Sequence, residues 1–182
     1  TFYAGPREDK AATAMAKAQE LFAAQQYELA LKGDKSFEGF LQVASNYSGT
    51  DAANLANLYA GLCYANLDKW QDAVKYLDQF SSQDDAFISP SAMAALGNAY
   101  AHTKQIDKAV SCLKKAADMA NSEAKDGVNI SVAPTCLMQA ARLLESQNKN
   151  DEALSIYKEI KTKYVKSYYN SEIDKYIERL TK

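Results

Sequence analysis

The chain has 182 residues, of which 47% are hydrophobic and 24% charged, with a formal net charge of −2. That apolar content, with seven Gly and three Pro, excludes a disordered polymer, and the dispersed lysines exclude a dedicated nucleic-acid surface. No apolar run reaches the roughly 18 residues that a bilayer span requires.

In chain order, the sequence starts at Thr1 rather than Met, so a segment is expected upstream. Phe2, Tyr3 and Ala4 suit the interfacial end of a removed membrane helix and equally a ragged end. Pro6-Arg7-Glu8-Asp9-Lys10 then reads as a helix start, with Pro and acids in the first turn. Apolar spacing predicts helices over about 7–25 and 27–47, the second interrupted near Gly33-Asp34, then 51–67, 70–81, 90–104, 106–122, 132–147, 150–165 and 168–181. Asp51 and Ser89-Pro90 open helices, while Asp68-Lys69, Lys104-Gln105 and Asn148-Lys149-Asn150 are short polar turns. Long alternating β-branched runs are absent, which leaves an all-α chain. The three cysteines, Cys63, Cys112 and Cys136, form no C-x-x-C pair. An odd count without that spacing argues against disulfides or zinc and for small buried side chains.

One periodicity dominates. Gly61, Tyr64 and Ala73 recur 36 residues later as Gly97, Tyr100 and Ala109. A fixed period between roughly 20 and 50 residues marks a stacked array. Glycine inside a helix costs about 1 kcal/mol against alanine, so a second helix must approach closely there. Ala73 and Ala109 supply the small partner, and Tyr64 and Tyr100 fill the wedge beside the contact.

This pattern resembles the tetratricopeptide repeat (TPR), with its small residue at the eighth position, aromatic at the eleventh, alanine at the twentieth and bulky residue at the twenty-fourth. Gly61, Tyr64, Ala73 and Leu77 match, with Trp70 opening the second helix. Gly97, Tyr100, Ala109 and Leu113 match again, with Ala116 at the twenty-seventh position. A fourth copy reads Ala141, Leu144, Ala153 and Tyr157, after an insertion around Lys125–Asn129. A first reads Ala18, Leu21, Tyr27 and Ala30, followed by an insertion near 33–39. The resemblance implies a single domain over 1–182: an α-α superhelix, or TPR solenoid, of about four helix pairs (7–47, 51–81, 90–122, 132–165). A capping helix at 168–181 closes it, its apolar side carrying Tyr169, Ile173, Tyr176, Ile177 and Leu180.

The resemblance also implies a concave groove lined by the first helix of each pair. Carried over position by position, it places there Met15, Gln19 and Phe22; Leu55, Leu58, Leu62 and Asn66; Ala94, Asn98 and His102; and Thr135, Met138, Arg142 and Glu145. The lysines of the family's carboxylate clamp are missing, so chaperone-tail binding is rejected. The Leu55-Leu58-Leu62 stripe is apolar and needs a cover. Either the chain's own first repeat or its 33–39 insertion, with Phe37 and Phe40, supplies it, or an amphipathic partner segment lies there. Met15 and Met138 favour adaptable partners.

The chemistry of an enzyme is not legible. His102 is the single histidine, there is no phosphate-loop or dinucleotide motif, and Asp84-Asp85 and Asp151-Glu152 read as helix-start charges. No cofactor or metal is expected. The strings Tyr59–Ala65 and Ile173–Arg179, with the Pro6-Arg7-Glu8 start, resemble bacterial envelope TPR proteins that carry one N-terminal membrane helix, and are similar in layout to the ancillary subunit of the secretion translocon. That resemblance implies a non-catalytic scaffold or chaperone-like adaptor on the periplasmic side of the inner membrane, binding a protein or peptide segment. It would touch the membrane only through an upstream segment. The alternatives are an outer-membrane assembly lipoprotein, an accessory domain of an enzyme, and a cytoplasmic location. Partner identity and oligomeric state are not readable.

Overall fold

A computed structural model describes residues 4–182, with the side chain of Ala4 excepted. Thr1, Phe2 and Tyr3 lie outside the described residues, and with them the expectation that Phe2 and Tyr3 mark either the interfacial end of a membrane helix or a ragged end. The described chain is all-α. Its helices are α1 (Ala4–Ala23), α2 (Tyr27–Lys32), α3 (Phe40–Asn46), α4 (Asp51–Asn66), α5 (Trp70–Leu77), α6 (Ile88–His102), α7 (Ile106–Ser122), α8 (Val132–Ser146), α9 (Asn150–Lys163) and α10 (Ile173–Thr181). A 3-10 turn, Tyr168–Ser171, precedes α10. Packing divides them into one unit ending at Ser81 and a second, Ser82–Lys182.

The pairs share one turn. The backbone enters the left-handed region at Gln25, Asp68, Lys104 and Asn148, with φ of 60°, 57°, 64° and 58°. The following residues, Gln26, Lys69, Gln105 and Lys149, hold nearly identical dihedrals. Each of these donates its N–H five residues back, to the carbonyl of Leu21, Tyr64, Tyr100 or Leu144, at 2.8–3.0 Å. Those four acceptors are the residues assigned to the eleventh repeat position. Both the degenerate first copy and the fourth are therefore in the expected register, insertions included. None of the four left-handed positions is glycine, although that conformation costs other residues roughly 1–2 kcal/mol. Asn148 and Asp68 tolerate it best.

In the first unit, Gly61 lets α4 and α5 meet. A Cβ on Gly61 would stand 2.5 Å from Leu77 Cγ and 3.0 Å from the Leu77 backbone nitrogen. The close contact is thus with Leu77, the bulky twenty-fourth position, where the sequence reading named Ala73. In the second unit a Cβ on Gly97 would stand 3.0 Å from Leu113 Cγ and 3.1 Å from the Ala109 carbonyl oxygen. Ala73 and Ala109 are fully buried.

The 33–39 insertion folds into a tight loop closed by an antiparallel bridge between Gly33 and Glu38. Gly33 has φ +66°, and side chains at Gly33 or Gly39 would run into opposing backbone at 2.3–2.5 Å. The loop splits the predicted 27–47 helix into α2 and α3 and returns Phe40 to the core. Phe40 stacks on Tyr59 at 4.9 Å, and Phe22 meets Tyr59 edge-on at 5.0 Å. Leu55 packs into this same core with Phe22 and Phe37, so for Leu55 the chain itself is the cover.

Helix starts are capped by side chains from elsewhere. The Glu8 carboxylate accepts the N–H groups of Asp51 and Ala52, both at 2.8 Å, at the head of α4. The sequence reading had placed Glu8 in the first turn of its own helix, but α1 begins at Ala4. Asp85 accepts the N–H groups of Phe87 and Ser89 and the Ser89 hydroxyl, at the head of α6. Asn129 repeats this 44 residues later, accepting the N–H groups of Ser131 and Val132 at the head of α8. Cys63 and Cys136 are buried, which pushes their thiols up to about 12 and about 11. Cys112 is half-buried.

Three outcomes are expected. Gly61→Ala loses about 1–3 kcal/mol by overpacking even though alanine is the better helix former, measured by urea unfolding; a gain would show that α4 and α5 are not in close contact. Lys104→Gly raises stability by about 1 kcal/mol by relieving the left-handed backbone, whereas Asn148→Gly changes it less. The third concerns Asp85. Partial burial alone raises its carboxyl, but hydrogen bonds from the Ser89 hydroxyl and from the backbone of Ser89, Phe87 and Ile88 outweigh this and hold it below the usual carboxylate range. A lowered folded pKa means the stabilisation is complete above the unfolded value of about 3.9 and disappears as pH falls through the folded one. Asp85→Asn should therefore cost about 0.3–1 kcal/mol at pH 7, with the gap to the parent closing below about pH 4.

Candidate protein-binding face

The first helix of each pair was expected to present binding residues, and the structure divides them into two groups. Met138 is 1% exposed and belongs to the core of the second unit; it is not a groove residue. The reason is that α8 packs against both α7 and α9, and its buried positions run almost round the helix: Ala133, Pro134, Cys136, Leu137, Met138, Ala140, Ala141 and Leu144. Met15 is likewise core in the first unit, so the argument from adaptable methionines fails. Leu58 is 8% exposed and is corrected from groove to interior, while Leu55 is half-buried and packs against the core of the first unit. Leu62 is half-buried and Asn66 exposed. The Asn66 carboxamide donates to the Leu62 carbonyl at 2.8 Å, closing its own helix end.

In the second unit α6 and α8 are neighbouring first helices. α6 presents a half-buried Asn98 and an exposed His102, and α8 a half-buried Thr135 and an exposed Arg142. Asn98 sits among small residues, Ala94 and Ala101, which are also half-buried. That leaves room for a peptide backbone near its carboxamide.

Arg142 and Glu145 are bound by the C-terminal helix. The Arg142 guanidinium donates to the Tyr176 hydroxyl at 2.8 Å and lies 5.5 Å from that ring's centroid. Its hydrogen bond to Tyr176 outweighs partial burial and strengthens its hold on the proton. Arg179 grips both Glu145 oxygens at 2.7 Å and also lies over Tyr176. Tyr157 donates its hydroxyl to Glu145; burial, then that carboxylate, pushes the phenol well up. Tyr157 and Tyr176 pack ring to ring at 5.2 Å. Both contacts of Arg179 with Glu145 come from one guanidinium nitrogen, Nη2, and are charge-assisted. The sequence reading gave α10 a polar outer face carrying Arg179; Arg179 is exposed there, and its guanidinium also reaches back to Glu145. Only the helical alternation of Tyr176 and Arg179 could have hinted at it.

A cleft of ≈310 Å³ lies on the other side of the second unit, lined by Lys114, Asp118, Leu137, Glu152, Ser155, Ile156 and Glu159. Most of its lining comes from the second helices α7 and α9, and none of the expected groove residues reaches it. Among the described residues no cluster of three His, Cys, Asp or Glu could hold a metal.

Comparisons with known proteins agree with this geometry. A tetratricopeptide-repeat family model matches residues 55–84 and 135–167, the second and fourth copies. No curated protein sequence matches. Among solved structures, the nearly identical TPR-like repeats of a Podosopora anserina protein described as kinesin light chain superpose with TM-score 0.65 at 14% identity, covering 95% of this chain and 86% of that one. A point-substituted form of the same protein gives TM-score 0.65 at 14% identity, with 95% and 85% covered. At that identity the likeness is one of fold. Helix pairs in one register, two matched segments and a shared fold show that this chain has the all-α fold of tetratricopeptide-like repeats.

Proposed function

We propose that the chain is a non-catalytic adaptor of the bacterial cell envelope that holds an extended segment of a partner protein against the first-helix face of its second unit. TPR domains bind protein partners in general. The observation that carries this reading is the α6 face, where Asn98 and His102 stand beside small residues while the neighbouring polar groups of α8 serve the fold. A carboxamide offers both a donor and an acceptor to a peptide backbone, which suits recognition of an extended main chain. Placement in the envelope, on the periplasmic side of the inner membrane, is supported by the likeness of the Tyr59–Ala65 and Ile173–Arg179 strings to envelope TPR proteins.

A photo-crosslinking residue at His102 should give one dominant adduct in cells, and the same residue at Lys115 on the second-helix side should not. Asn98→Ala should weaken the purified interaction roughly 2–10-fold, the worth of one hydrogen bond, without changing thermal stability. Adducts that are equal from both positions would refute the assignment of the face.

A further inference from the structure

Among the described residues the large exposed hydrophobic side chains are Leu29, Phe87, Ile88, Ile130, Val165 and Tyr168, and Tyr168 is the most exposed at 79%. It lies in the turn between α9 and α10, and that turn combines three properties. The first is charge: from Ile160 to Ser171 the sequence holds Lys161, Lys163 and Lys166 and no acid. Lys161 pairs with Asp174 at 2.6 Å. Lys163 and Lys166 are exposed and form no ion pair with another described residue; Lys163 lies over the Tyr164 ring.

The second property is apolar surface, with Val165 55% exposed beside Tyr168. The third is a fixed orientation. Tyr164 is fully buried and Ser167 nearly so, which turns Lys163, Val165, Lys166 and Tyr168 outward together. The Tyr164 hydroxyl accepts from Asn121 at 2.7 Å, and the Asn121 oxygen accepts from the Asn129 N–H at 2.9 Å. That network ties the turn to the loop before α8, where Ile130 is exposed.

Two exposed lysines on either side of Val165, followed by the exposed Tyr168, on an anchored turn match the depth profile of a lipid headgroup region. There the aromatic ring sits at the boundary and lysines reach the phosphates. A protein partner would need a pocket for Tyr168 and acids at two fixed points. A bilayer surface is flat and deformable and needs neither. Nucleic acid offers nothing to Val165. We propose that this turn docks peripherally on an anionic lipid surface, independently of any segment upstream. The contact is of the surface type, since among the described residues no helix is long and apolar enough to cross a membrane.

The test is sedimentation of the purified chain with phosphatidylcholine vesicles, with and without phosphatidylglycerol. Binding is expected only to the anionic vesicles. Lys163→Gln/Lys166→Gln should weaken it about 30-fold, since each lysine near such a surface contributes on the order of a fivefold gain. Tyr168→Ser should weaken it several-fold with charge unchanged. Circular dichroism and thermal unfolding of both variants should match the parent, because all three side chains are exposed. Absence of binding, equal binding to neutral vesicles, or binding indifferent to the lysine variant would overturn the proposal. So would indifference to Tyr168→Ser, which would assign the lysines to a generic polyanion.

Discussion

Two α-helices can approach closely only where the facing side chains are small, and the α4–α5 and α6–α7 pairs of this chain are organised around that constraint. Gly61 and Gly97 remove the Cβ that would collide with Leu77 and Leu113. The cost of glycine in a helix is offset by the contact that becomes available. The approach also needs the chain to reverse within a few residues. A single left-handed residue does this in every pair, at Gln25, Asp68, Lys104 and Asn148. The hydrogen bond that closes the turn lands on the eleventh repeat position each time, which is why the repeat tolerates so many different side chains there. Leu21, Tyr64, Tyr100 and Leu144 share a carbonyl geometry more than a chemistry.

Once the pairs are formed, their helix ends must be satisfied, by one distant side chain and by two that lie just before the helix they cap. Glu8 closes the head of α4, and Asp85 and Asn129 close α6 and α8 with the same arrangement. The α8–α9 pair is followed by α10, which packs on α9. Its Tyr176 and Arg179 engage Arg142 and Glu145, two positions that would otherwise face a further repeat or a ligand. The contact with α10 therefore uses potential binding residues as structure. That moves the open surface of the second unit towards Asn98 and His102.

The architecture was legible because period and small-residue spacing are local properties. The four copies, both insertions and the capping helix lie where the spacing placed them, with helix boundaries shifted by a few residues. The binding face was much less legible. Met15 and Met138 fall at positions that line a groove in other repeat proteins, but here neighbouring helices bury them. Whether a helical position faces a groove or a neighbour depends on how many helices surround it. Leu55 and Leu58 show the same ambiguity, and the return of Phe40 through the Gly33–Gly39 loop resolves it for Leu55. The cap made by Glu8 carried no signal at all, since a residue and its partner 43 positions away share no spacing rule.

The amino-acid sequence alone determined the helical class, the repeat length, the register of each copy and the sites where helices must touch. These follow from side-chain size and from a helical period that acts over a few residues. The tertiary structure decided which of the remaining side chains are free. It buried Met15, Met138 and Leu58, bound Arg142 and Glu145 to the last helix, and left Tyr168 and its lysines exposed. Freedom of a side chain is set by everything packed around it, and that arrangement exists only after the chain has folded.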